Sequence, residues 1–308
     1  MLSRTIQILL RMAVTFLVIV TLVFFATRLT GNPIDFVVGE GLTSEDRALL
    51  IRYFELDRSW WAQYRAFLGA FLDGNFGLSF IERRPVAEIV AARIWPSLQL
   101  LLAAMALTLA VALPLGILAA IRRDHWSGSA AVAVAFAGYA VPNFVLAVFL
   151  ILVFANWLNW LPVVGNATAA HFVMPTVTLA AGLIAALTRF TRNAMLDVLG
   201  QDYMRTARAK GLGEGAVILR HGLRNAAITI LSVVGLQVAA LAAAGSVVVE
   251  SVFAWPGIGE LLVRSAIRRD YPVLQFGVIA VAAAVIILNA LIDLAYAWAD
   301  PRLRSRGA

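Results

Sequence analysis

Asp202-Tyr203-Met204-Arg205-Thr206-Ala207-Arg208-Ala209-Lys210-Gly211-Leu212-Gly213-Glu214, running on to Leu219-Arg220-His221-Gly222-Leu223-Arg224-Asn225, is a hydrophilic interruption in a largely apolar chain. It reads as a short helix, a glycine break and a second short helix. Asp202 suits an N-cap and Gly211 the left-handed residue that stops a helix. Arg208 and Lys210 lie where the C-terminal end of the first helix favours cations. Two antiparallel helices can be joined by a few residues. The hydrophilic stretch from Arg192 to Asn225 is far longer than that. A solvated basic loop accounts for its charge, but a surface built for a soluble partner accounts for its length as well.

Outward from this stretch the chain is apolar. Of its 308 residues 61% are hydrophobic and only 14% charged, with a mean hydropathy of +0.85. A soluble domain carries about a quarter charged residues, so this is the composition of a chain dissolved in lipid. At about 20 residues per crossing, the apolar runs give six helices: about Ile8–Leu29, Ser97–Ile121, Ala130–Trp157, Met174–Thr191, Ala226–Val249 and Phe276–Trp298. Pro142 is expected to kink the third span, and Pro175 to sit in the first turn of the fourth. The expected fold is therefore all-α, with residues 1–29 forming the N-terminal end and first span. Residues 97–298 form a core of five further spans that includes the loop 192–225, and 299–308 form a tail. Residues 30–96 are too long and too aromatic for a linker, and are expected to form a small helical subdomain outside the membrane, entered through the turn Asn32-Pro33.

Arginine placement orients the chain. With the N-terminus inside, the short inner segments hold Arg4, Arg11, Arg122, Arg123, Arg189, Arg192, Arg205, Arg208, Lys210, Arg220, Arg224, Arg302, Arg304 and Arg306. The short outer one holds Arg264, Arg268 and Arg269. The positive-inside rule favours that orientation, with both termini cytoplasmic. The arginines explain the net charge of +7 without a nucleic-acid partner, since no separate basic domain exists to form a binding face. The apolar stretch Met12–Leu29 exceeds a signal-peptide core and is followed by Gly31-Asn32-Pro33 rather than a small-x-small cleavage site, so it reads as a retained anchor in a bacterial inner membrane.

Several chemistries are excluded or disfavoured. There is no cysteine, hence no disulfide or thiolate site. A P-loop ends in Lys-Ser or Lys-Thr, whereas the single lysine, Lys210, precedes Gly211. The histidines His125, His171 and His221 show no metal-ligand spacing, and neither a metal nor a catalytic residue is expected. Asp293 lies inside the last span with Asn289 one turn before it. A carboxylate at membrane depth marks either a structural pair or a path-lining group. An ion-coupled carrier or a membrane-embedded enzyme is the rival reading. It lacks support from repeated halves or from several buried ionisable groups.

The motif Arg205-Thr206-Ala207-Arg208-Ala209-Lys210-Gly211-Leu212, with His221-x-Leu223-Arg224-Asn225, resembles the coupling loop of ABC importer permeases, as written in the dipeptide/oligopeptide/nickel branch. Ala207, Gly211 and Leu223 match the general Glu-Ala-Ala-x-x-x-Gly pattern and its continuation. Arg205, Thr206, His221 and Arg224 match the branch's own version instead. Gly74-Asn75-Phe76-Gly77-Leu78-Ser79, Val249 through Gly259, Arg269-Asp270-Tyr271-Pro272 and Asp300-Pro301-Arg302 are similar to further motifs of the same branch.

The resemblance implies a type I importer permease that pairs with a second, paralogous permease. Two ATPase subunits would bind ATP and magnesium in its place and engage Asp202, Tyr203, Arg205, Thr206, Ala207, Arg208, Ala209, Lys210, Gly211 and Leu212, with His221 and Arg224. An external solute-binding protein would deliver peptide or a related solute. The same resemblance makes Glu250, Phe253, Trp255, Pro256 and Gly257 an external gate or a contact for that binding protein. The bare alternative is an ordinary Trp-Pro-Gly turn.

Overall fold

The computed structural model describes residues 2–29 and 57–299. The expected entry turn at Asn32-Pro33 and the tail motif Asp300-Pro301-Arg302 lie outside the described residues, as does the stretch 30–56 of the expected subdomain.

Among the described residues five helices are long and apolar enough to cross a membrane. They are α1 (Leu2–Leu29), α3 (Val86–Ile121), α6 (Ala169–Leu199), α8 (Glu214–Ala243) and α11 (Tyr271–Ala299). Between them lie α2 (Trp60–Leu72), α4 (Trp126–Ala137), α5 (Asn143–Trp157), α7 (Asp202–Ala209), α9 (Val247–Val252) and α10 (Ile258–Ile267). The chain is thus all-α among the described residues, apart from one isolated β-bridge between Leu78 and Pro85.

The third span is not one kinked helix. It is the pair α4 and α5, with Pro142 as the N-cap of α5 at φ −56° and ψ 139°. Proline has no N–H to give and disfavours a helical residue before it, so the chain breaks instead of bending. The fourth span also differs. It begins at Ala169 and holds Pro175 inside the helix rather than in its first turn. A Thr168–His171 capping box supplies the start instead, with both reciprocal bonds present. His125 plays a similar part at α4, where its Nδ1 accepts from the Ser127 amide at 3.2 Å.

The residues divide into two compact units. The larger comprises residues 97–256 and 287–308. Its centre is α6, which packs against α4, α5 and α8. One apolar cluster joins Leu100, Met105, Leu150, Met174, Leu179, Phe253 and Trp255, and a second joins Ala112, Leu187, Met195, Ile218 and Ile230. Helices in lipid approach closely through small residues. Gly116 is such a point: a Cβ there would lie 2.6 Å from Thr191 Cβ and 2.8 Å from the Thr188 carbonyl. Gln237 of α8 donates from Nε2 to the Leu183 carbonyl of α6 at 3.2 Å, an interhelical bond of the expected kind.

The other unit comprises, of the described residues, 2–29, 57–96 and 257–286. Val86, Ile89, Val90, Leu261 and Val273 form its core, and Phe76 stacks on Phe276 at 4.0 Å. Around that core Arg93 pairs with Glu260 at 3.6 Å, and Arg264 with Glu82 at 3.7 Å and Glu260 at 3.6 Å.

Candidate coupling segment

The hydrophilic stretch of the sequence folds more tightly than its length suggests. Helix α6 runs on to Leu199, so its last two turns extend the span beyond Arg192 with mixed polar and apolar residues. Helix α7 then occupies Asp202–Ala209. The second short helix does not exist as a separate element. Glu214 begins α8 itself, which continues through a wide π-helical turn at Val217–Leu223 into the span. The true hinge between α7 and α8 is Lys210-Gly211-Leu212-Gly213.

The N-cap of α7 is Gln201, not Asp202, and Gln201 makes no side-chain cap bond. Asp202 is in the first turn, where a carboxylate meets the positive end of the helix, and lies 3.7 Å from Arg205. Lys210 is the C-cap. Gly211 takes φ +77°, as expected for a residue without a Cβ at a helix stop.

Two contacts seat α7. Met204 and Ala207, three residues apart and both buried, pack with Val217 under Val198 and Leu199. Gly222 provides room: a Cβ there would meet the Met195 methyl at 3.2 Å and the Met204 methyl at 3.5 Å. Across the hinge Arg208 forks onto Glu214, with Nη2 to Oε1 at 2.8 Å and Nε to Oε2 at 3.1 Å. This hydrogen bond holds the Arg208 guanidinium pKa above its ordinary value. A cleft of about 270 Å³ opens beside the fork, between Ile121, Leu196 and Leu199.

The opposite face of the segment is free of the chain. Asp202, Tyr203, Arg205, Thr206, Ala209, Lys210, Gly211 and Leu212 are all exposed, as are the partly engaged Arg208 and the more distant Arg224, and His221 is half-buried. The residues named from the sequence therefore separate into an inner anchor, Ala207, and an outer rim. Sequence reasoning passed over Met204 and Glu214. The i, i+3 spacing of Met204 and Ala207, and the opposite charges at 208 and 214 flanking the glycine, were the available signals.

The other named residues lie elsewhere. Glu250, Phe253, Trp255 and Gly257 are buried and Pro256 is half-buried. Trp255 is 0% exposed and meets Phe172 edge-on at 4.5 Å, and Glu250 accepts from Ser97 Oγ at 2.8 Å. The turn is thus packed inward. Phe253 and Trp255 present no accessible surface in this arrangement. Asn289 and Asp293 are exposed on α11. Among the described residues Asp293 has no hydrogen-bond or ion-pair partner.

A bundle of apolar helices with a basic helix-glycine-helix segment seated on two of its spans defines an integral membrane protein with a surface suited to a soluble partner. Residues 112–305 match the family described as "Binding-protein-dependent transport system inner membrane component", and the chain belongs to that family. It is 40% identical over 305 residues to the glutathione transport system permease protein GsiC of Shigella flexneri serotype 5b, with 99% of each chain covered. To GsiC of Escherichia coli strain K12 it is 39% identical over the same length and coverage. Its fold is similar to a chain in a structure of inward-facing conformations of the MetNI methionine ABC transporter, with a TM-score of 0.59 and 16% identity. That likeness covers 69% of this chain and 96% of the other. The protein is a multi-pass inner-membrane permease subunit of an ABC importer. A permease of this class works with a second permease, ATP-hydrolysing subunits and a binding protein.

Proposed function

We propose that this permease subunit lines, with a paralogous second permease, a path for glutathione or short peptides of similar size, and that separate ATPase subunits drive it through α7. The substrate reading rests on full-length relatives at about 40% identity whose names specify glutathione transport. The coupling reading rests on one observation: α7 is anchored by Met204 and Ala207 while Tyr203, Thr206, Lys210 and Leu212 are left exposed. An element that is seated on two spans and bare on its other side can carry a push from a soluble partner into those spans.

In this reading both termini are cytoplasmic, because the arginines of the short loops collect on that side. ATP and magnesium are held by the partner ATPases. Binding of ATP shifts the complex between inward- and outward-facing states by its differential affinity for them. The inward-packed turn of Glu250, Phe253, Trp255, Pro256 and Gly257 acts as part of the outer gate, and Asn289 and Asp293 line the path.

Two measurements test this. Purification of the tagged chain in mild detergent should bring down a second permease and a Walker-type ATPase. Vesicles holding that complex, supplied with its binding protein, should take up labelled glutathione on addition of ATP. Uptake of dipeptides with no uptake of glutathione would overturn the substrate reading. Gly211→Asp should leave the complex assembled but inactive, and normal uptake in that variant would remove α7 from the mechanism.

A further inference from the structure

The helix α2 has a place that the expectation of an external subdomain does not account for. Its contacts to α1 form an ordered series. Trp60 and Trp61 lie 6.2 and 5.6 Å from Phe25. Tyr64 lies 5.3 Å from Phe24, and its hydroxyl is hydrogen-bonded to Thr21 Oγ1 at 2.6 Å. Phe67 lies 5.3 Å from Phe24, and Phe71 5.9 Å from Phe16. As α2 advances, its partners on α1 recede from Phe25 to Phe16, a distance of about 13 Å at about 1.5 Å per residue. The two helices are therefore antiparallel neighbours along much of a span.

That register sets a depth. The apolar window of α1 is Ile6–Leu29. A crossing takes about 20 residues, and any such stretch within this window contains both Phe16 and Phe25. The pairing thus puts α2 at hydrocarbon depth whichever way the chain is oriented.

Two further observations agree. The sequence of α2, WWAQYRAFLGAFL, carries a single charge, Arg65, which is exposed on the outward side; that side is otherwise apolar, with Trp61 66% and Leu72 84% exposed. Its ends are also closed, as lipid requires of every backbone group. Ser59 caps the start by accepting from the Ala62 amide at 3.4 Å. At the other end Gly74, at φ +73°, donates to the Phe71 carbonyl at 3.2 Å, and Asn75 to the Ala70 carbonyl at 2.8 Å. This is the paired closure of a Schellman motif.

We propose that Trp60–Leu72 is a membrane-embedded half-helix. It enters the leaflet in which α1 ends and lies on α1 through Tyr64, Phe67 and Phe71, with Gly69 and Leu72 against lipid acyl chains. Trp60 and Trp61 then sit in the interfacial belt that indole rings favour. Arg65, one turn deeper, reaches back toward the headgroups along its own methylenes. The segment between the first two spans is thereby partly a membrane element that braces α1, rather than a wholly external unit.

The absence of cysteine makes the test direct. Single thiols are placed on the outward side by Leu72→Cys and Gly69→Cys, and at an exposed charged position by Arg84→Cys. A Cβ at Gly69 would meet nothing within 4 Å, so that change is accommodated even if Leu72→Cys is not. The full complex is treated in membranes with a charged, impermeant maleimide, both faces being open to the reagent. The expected result is loss of labelling at positions 72 and 69 with labelling retained at 84. A permeant bimane attached at position 72 or 69 should then be quenched by phospholipids brominated on their acyl chains. Labelling of Leu72→Cys and Gly69→Cys like that of Arg84→Cys would place α2 in water and overturn the proposal. Protection without quenching would mean that protein covers this side, a neighbouring subunit or another part of the chain, and would overturn it equally.

Discussion

Ser79 donates its hydroxyl to Asp270 Oδ2 at 2.5 Å, joining two residues that are 191 positions apart. Asp270 is buried and its other oxygen accepts from the Phe80 amide at 3.1 Å. The Ser79 oxygen in turn accepts from the Ile81 and Glu82 amides at 3.2 and 2.9 Å. The motif that ends in Ser79 and the motif Arg269-Asp270-Tyr271 are therefore two halves of one structural knot. Leaving a buried donor unpaired costs about 1–3 kcal/mol. Asp270→Ala removes the acceptor for both the Ser79 hydroxyl and the Phe80 amide, and should lower stability by about 2–5 kcal/mol on that basis. Ser79→Ala should also lower stability, because it removes the bond to Asp270 together with the acceptor for the Ile81 and Glu82 amides. Thermal unfolding of the purified protein in detergent reads both, and an Asp270→Ala variant as stable as the parent would contradict the knot.

Trp255 gives a second expectation. Its indole is wholly buried in the cluster with Leu100, Met174 and Phe253, and touches Phe172 edge-on. Truncating a buried aromatic of this size costs about 3–5 kcal/mol. Trp255→Ala should reduce both stability and uptake, whereas Trp255→Phe keeps a ring in the site and should lose little stability. Reduced uptake in Trp255→Phe at unchanged melting temperature would separate a gating role from simple packing. Normal uptake in both variants would remove the turn from the gate.

The fork between Arg208 and Glu214 bridges a hinge that holds two glycines, so it sets the angle between α7 and α8 more than it adds to stability. Both side chains are substantially exposed, and exposed ion pairs are worth about 0–1 kcal/mol. Arg208→Glu and Glu214→Arg should each leave insertion and melting nearly unchanged while lowering uptake. The double exchange should restore uptake. If the exchange fails while either single charge-reversal variant still binds the ATPases, Arg208 is instead a direct contact of the partner.

How much of this was legible in the sequence depends on the kind of signal. Apolar runs such as Met12–Leu29 mark spans because hydrophobicity sums over many residues, and that part of the fold follows from composition. Breaks are harder. Pro142 has the same missing N–H whether a helix kinks or stops, and only its neighbours decide; here they stop it. The length of the 192–225 stretch misled for a related reason: polar residues mark where a helix leaves lipid, not where it ends, and α6 and α8 both continue as helix beyond the apolar run. Long-range partners such as Ser79 with Asp270, or Tyr64 with Thr21, carry no local signal, because each residue satisfies ordinary turn or helix preferences on its own. The surface of α7 was legible in part, since Gly211 states its own conformation while Met204 shows its inward role only beside Val217.

Asp293 is the remaining test of the path. It is exposed on α11 one turn beyond Asn289, and among the described residues it has no partner. An ionised carboxylate facing hydrocarbon costs about 2.5–3.5 kcal/mol at the centre of a span and less toward its end, where Asp293 lies in the span Tyr271–Ala295, so this face of α11 is expected to meet water, in the path or at the membrane surface, or a polar group of the second permease. The two surroundings respond oppositely to an apolar side chain. Against lipid, Asp293→Leu would raise membrane yield and leave uptake alone. Against the path, it should keep membrane yield while uptake falls by about tenfold, equivalent to about 1.4 kcal/mol of lost interaction. Asp293→Asn, which retains a hydrogen-bonding group, should lie between. Uptake measured in vesicles normalised to the amount of permease distinguishes the cases, and unchanged uptake in Asp293→Leu would take this residue out of the path.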